Sequence, residues 1–118
     1  MENKQARDMK FPDGLAEALR PPEPITPLEL KALNRLVDIA LSGTGQARVV
    51  ANFLLAWWNS DECGGFDLTD LWALDLAIVQ DVILVFGLIA RISDYPNNLD
   101  ASFDQKFREL VRQWRKLG

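Results

Sequence analysis

The chain has 118 residues, 48% of them apolar and four of them Trp, with a net charge of −4. That is one globular domain, large enough to bury a core without metal or disulfide staples. The acidic balance (pI near 4.7) argues against a nucleic-acid partner, because counterion release needs Lys and Arg gathered on one face. Histidine is absent, which removes the commonest general base, the commonest metal ligand and every Ser-His or Cys-His nucleophile pair.

Residues 1–24 read as a flexible N-terminal arm. A short stretch around Leu15 and Leu19 could form two helical turns, marginal on their own in water, before Pro21, Pro22 and Pro24 impose an extended linker. The arm begins with charged residues and has no apolar h-region, so no signal peptide is expected. Residues 25–118 form the helical domain. Its first helix opens at Thr26, Pro27 and Glu29, a cap, a first-position proline and the third member of a capping box. Leu33, Leu36, Val37, Ala40 and Leu41 share one face, and Gly43 is the stop.

A second helix is expected over about 45–59 with Thr44 as its cap. Its polar face is almost missing, which marks it as the centre of the bundle and gives it more apolar surface than a small bundle can cover, so homodimerisation would be one outlet. Gly64 and Gly65 give a turn, and Asp67 caps a new start. Leu68, Leu71, Trp72 and Leu76 are expected to form one apolar face. From there one helix could run unbroken to Ile92, or Asp75 could cap a separate helix over 76–92; the split is preferred. The β-branched run at 82–86 has no partner strand, so helix wins there. After a loop at 93–98, a last helix capped by Asp100 or Ser102 places Phe103, Phe107, Leu110, Val111 and Trp114 on one side.

Six carboxylates (Asp61, Glu62, Asp67, Asp70, Asp75 and Asp81) fall between residues 61 and 90, where there is no Lys or Arg. Glu62, Asp67, Asp70 and Asp81 among them could ligate a hard cation, but their spacing matches no EF-hand loop and two of these acids have work as helix caps, so no metal site is expected. Cys63 stands among acids that would raise its pKa, which makes a loop thiol a better reading than a nucleophile. No cofactor is expected either, since no Lys follows Gly64 and Gly65 as in a phosphate loop. The remaining reading is a docking surface. Glu62, Asp67, Asp70 and Asp75, with Trp58 and Trp72 beside them, suit a protein with a basic surface through cation–π and charge-assisted contacts. The alternative is a nucleic-acid-binding regulator that uses Arg108, Arg112, Arg115 and Lys116 of the last helix.

The strings Thr44-Gly45-Gln46, Phe53-Leu54-Leu55-Ala56-Trp57-Trp58-Asn59, Cys63-Gly64-Gly65-Phe66-Asp67-Leu68 and Leu71-Trp72, followed by Asp75, carry a resemblance over about residues 28–116. The chain resembles a family of small bacterial proteins of unknown function encoded on plasmids and integrative conjugative elements. The resemblance implies a mobile-element origin and no particular chemistry.

The sequence therefore predicts an all-α protein, a compact bundle of four to five helices around the second helix and the 76–92 helix, with an extended Pro-rich N-terminal arm. It is expected to be a non-enzymatic interaction module. The lone cysteine fits a reducing cytoplasm, and the longest apolar runs, 49–58 and 82–90, are about half the ~20 residues a membrane span needs.

Overall fold

The computed structural model describes residues 24–115; most of the arm and Lys116 lie outside them. Helix α1 (Pro27–Ser42) starts where the capping box requires. Thr26 Oγ1 accepts from the Glu29 N–H at 3.2 Å, and Glu29 Oε1 accepts from the Thr26 N–H at 3.0 Å. Two of the amides that a helix start leaves unbonded are thereby satisfied. Thr26→Ala should cost about 1 kcal/mol, read as a lower urea midpoint at unchanged slope. Gly43, at φ 77°, ends α1 in the left-handed conformation that glycine adopts freely.

Helix α2 (Ala47–Cys63) begins later than its sequence suggests, and Thr44 does not cap it. The Thr44 N–H and hydroxyl are both engaged by Ser42 Oγ, at 3.3 and 3.2 Å, so the intervening turn uses up the cap. Near its far end Asn59 leaves helical geometry (φ −163°, ψ 80°), and its Oδ1 accepts from the Glu62 N–H to start one further turn that ends at Cys63.

The 68–92 segment divides as preferred. A 3₁₀ helix, η1 (Leu68–Ala73), is followed by two extended residues, Leu74 and Asp75, and then by α3 (Leu76–Ile92). The break is fixed from outside by Gln46. Its Oε1 accepts from the Asp75 N–H at 2.7 Å, and its Nε2 donates to Asp75 Oδ2 at 2.9 Å. Asp75 thus occupies the cap position of α3 while its carboxylate is spent on Gln46, not on the helix amides. A second 3₁₀ turn, η2 (Pro96–Asn98), leads to α4 (Ser102–Trp114). Neither Asp100 nor Ser102 is its cap: Ala101 holds the cap position, and Asp100, one residue earlier, accepts from the Ser102 N–H through Oδ1 at 2.9 Å. The described residues are 78% helical with no strand, an all-α fold of four α-helices and two 3₁₀ helices.

The hub of the bundle is α1, which packs against α2, α3 and α4. This corrects the expectation that α2 and α3 form the centre. The core joins Leu33, Leu36 and Val37 of α1 to Val50, Leu54 and Leu55 of α2, Val82 and Val85 of α3, and Phe103, Phe107 and Leu110 of α4. Polar ties close the bundle where helices meet: Trp114 Nε1 donates to the Ala40 carbonyl at 2.9 Å, Arg115 Nε to the Cys63 carbonyl at 2.8 Å, and Trp57 Nε1 to the Asp94 carbonyl at 2.9 Å.

The surplus apolar surface lies elsewhere than α2, whose Val49, Val50, Phe53, Leu54 and Leu55 are all buried. It lies on η1 and α3. Leu68, Trp72 and Leu76, expected to form one apolar face with Leu71, are 67%, 85% and 71% exposed. A 3₁₀ helix has three residues per turn, and the extended break then turns the chain, so side chains that one continuous α-helix would align are scattered outward.

Candidate functional site

The six carboxylates separate into groups with different work. Asp81 is answered, contrary to the reading of an unopposed cluster: Arg35 Nε and Nη2 on α1 each reach its carboxylate at 2.8 Å. A sequence window from 61 to 90 cannot show this, because the cation comes from 46 residues earlier in the chain. Asp67 caps η1, its Oδ1 accepting from the Thr69 N–H at 3.0 Å and the Thr69 hydroxyl at 2.8 Å. Those bonds, the hydroxyl first, hold the Asp67 carboxyl below its ordinary value. Among the described residues no Lys or Arg forms an ion pair with Asp61, Glu62, Asp67, Asp70 or Asp75.

The residues expected to form one site occupy two places. Trp58 packs its ring against Phe107 (centroids 6.0 Å apart, 55° between planes) and, with Glu62 and Cys63, lines a hollow of about 280 Å³ closed on the α4 side by Arg108 and Arg112. Asp67, Asp70, Trp72 and Asp75 stand on η1 and at its two ends. Next to η1 runs an apolar hollow of about 260 Å³ between α2 and α3, where Phe53, Trp57, Phe66, Leu68, Phe86 and Ile89 converge. Phe53 and Phe66 meet there edge to face at 5.5 Å.

Cys63 is buried, and burial pushes its thiol up, with Glu62 adding to the effect and Arg115 opposing it. A thiol so placed is a poor nucleophile. Among the described residues no three Cys, Asp or Glu side chains come together as a metal cage would need, and Asp81, one of the four acids weighed as cation ligands, is tied to Arg35. The basic stripe of α4 is also largely occupied. Arg108 pairs with Asp104 at 3.0 Å, Arg112 with Glu109, and Arg115 is drawn inward to Cys63 and Asn52. Lys106 lies over the Phe103 ring, 5.8 Å from its centroid. Phosphate contacts would have to compete with these partners.

Fold and surface together define a small all-α protein that leaves Trp72, several large aliphatic side chains and the carboxylates of the η1 corner exposed. The chain belongs to a family of unknown function (DUF7673), which it matches over residues 30–115. No curated protein and no solved structure matches it. No helix among the described residues is long and apolar enough to cross a membrane.

Proposed function

We propose that this protein is a non-enzymatic interaction module whose η1 corner binds a basic protein surface. The observation that carries the reading is Trp72: an indole 85% exposed on a short 3₁₀ helix whose flanking carboxylates, Asp67, Asp70 and Asp75, meet no cation within the described fold. A large side chain left in water at a rigid corner suits a hot spot, where Trp is enriched. The surrounding carboxylates can take guanidinium groups in bidentate fashion while the indole face stacks on them. Gln46 holds the corner in place through Asp75, so little order remains to be gained on binding. Trp58 and Glu62 face α4 and are not part of this corner. A home on a plasmid or integrative element, a cytoplasmic location and a counter-defence or regulatory role belong to the same proposal, and rest on the string resemblance and the single cysteine.

The test is affinity capture from a bacterial lysate with the wild-type chain, Trp72→Ala, and Asp67→Lys with Asp70→Lys. Captured proteins of basic surface should be lost at least tenfold with either variant and eluted by raised salt, while the helical circular dichroism is unchanged. Capture that survives both variants would sink the proposal. Nucleic-acid binding by α4 predicts instead a gel shift at low salt that Arg108→Ala with Arg112→Ala removes.

A further inference from the structure

Helix α3 presents a second surface beside the η1 corner, whose Leu68 and Leu71 line a hollow together with Ile83 and Phe86. Of its seventeen residues only Gln80, Asp81 and Arg91 are polar, and the last two are turned to α1, where Asp81 meets Arg35 and Arg91 meets Glu29. A helix apolar all round is normally covered all round. Here one side is: Val82, Val85 and Leu88 are buried. The opposite side is not. Ile83 is 62% exposed, Phe86 59% and Leu84 41%, in line with Leu76 at the start of the helix.

We infer that the outer face of α3 is covered by a second copy of this chain, the two α3 helices packing antiparallel about a two-fold axis at Ile83. Three observations single out a copy among the occupants an apolar face could take. The first is spacing. Leu76, Val79, Ile83, Phe86 and Ala90 recur at alternating intervals of three and four, the seam that lets two helices of the same sequence interlock. Reversed about Ile83, the seam sets Leu76 of one copy opposite Ala90 of the other and Val79 opposite Gly87, large against small. The space beside Gly87 is open, with no atom within 4 Å of where a Cβ would stand, so a neighbouring helix can approach closely there.

The second is charge. A chain of net charge −4 can meet itself only where its carboxylates are absent, and this seam carries none. A basic partner would find nothing on it to pair with. The antiparallel arrangement also opposes the two helix dipoles. The third is exposure. Four large side chains, Leu76, Ile83, Leu84 and Phe86, stay 41–71% exposed along this one helix, a contiguous apolar patch of the kind that marks an interaction surface.

Sedimentation equilibrium of the full chain tests the inference. The wild type should sediment at twice its chain mass of 13.3 kDa. Because Ile83 is exposed in the single chain, Ile83→Glu and Ile83→Lys should each keep the helical circular dichroism and sediment as monomers, like charges meeting at the axis. An equimolar mixture of the two should return to the dimer mass, because Glu then faces Lys. A monomeric wild type, a dimer that persists in either variant, or a mixture that stays monomeric would each overturn the inference. Finding a partner protein, a lipid surface or another segment of this chain on the face would not restore it. The Trp72 and Asp67 variants of the binding test leave the seam intact, so dimerisation and capture can fail independently.

Discussion

Phe107→Ala should destabilise the fold by about 3–5 kcal/mol, the usual range for emptying a fully buried aromatic site. Phe107 is wholly buried in α4, at right angles to Phe103 with ring centroids 6.3 Å apart, and it supports the Trp58 ring. Its removal therefore leaves a cavity at the point where α1, α2 and α4 meet, and two aromatic contacts go with it. Domains of this size have only about 5–15 kcal/mol in hand, and melting should fall on the order of 15–30 °C. The control is Trp72→Ala, which removes a larger ring. Since that ring is 85% exposed, the melt should move by less than about 0.5 kcal/mol. Scanning calorimetry of both variants decides the matter. If Trp72→Ala proved as damaging as Phe107→Ala, the indole would be packed and the corner would not be a free surface.

That contrast marks where sequence reasoning succeeds and where it stops. Periodicity places Phe103, Phe107 and Leu110 on one face of α4 and Leu33, Leu36 and Val37 on one face of α1, because a buried stripe must repeat at the helical period. Capping chemistry is equally local, so Thr26 with Glu29, Gly43 and Asp67 are legible from a few neighbours. Trp72 is different. It has the same apolar character as Phe107 and sits at helical spacing from Leu68 and Leu76, yet it is exposed. The cause is the 3₁₀ geometry and the break at Leu74 and Asp75, held by Gln46 from 29 residues earlier.

Long-range partners are the common element in what the sequence hides. Arg35 for Asp81, Arg91 for Glu29 and Gln46 for Asp75 each come from another helix or turn. An acidic run without local cations therefore overstates the free charge: Asp81 drops out of it, and Asp67 has a second task. The carboxylates at the η1 corner are what remains. The exposed face of α3 did have a signal in the sequence, since a helix with charges only at positions 81 and 91 has two apolar sides and only one bundle to face.

The second large effect concerns Glu29, an acid with no place in that cluster. It lies buried at the start of α1 and works in two directions at once. Its Oε1 completes the capping box with the Thr26 N–H at 3.0 Å, while Arg91 Nη1 and Nη2 each approach its carboxylate at 2.7 Å, joining the first turn of α1 to the last turn of α3. Arg91 also donates to the Pro24 carbonyl at 3.2 Å, so the same guanidinium fastens the entry of the chain. Glu29→Ala should cost roughly 2–3 kcal/mol, more than Thr26→Ala, because it removes the Glu29 half of the capping box and leaves a part-buried cation with fewer partners. The Arg91 fork, helped by the Thr26 backbone and hydroxyl and opposed by burial, draws the Glu29 carboxyl down from 4.5 to about 2. A folded value below the unfolded one means that this contribution is complete above about pH 4.5 and disappears as the pH falls through about 2. Urea midpoints measured between pH 6 and pH 2 should therefore decline with acid. The decline should be shallower in Glu29→Gln, which keeps the shape of the side chain but has no proton to gain. Equal slopes in the two proteins would mean that the exposed carboxylates, and not the link between α1 and α3, set the acid limit of the fold.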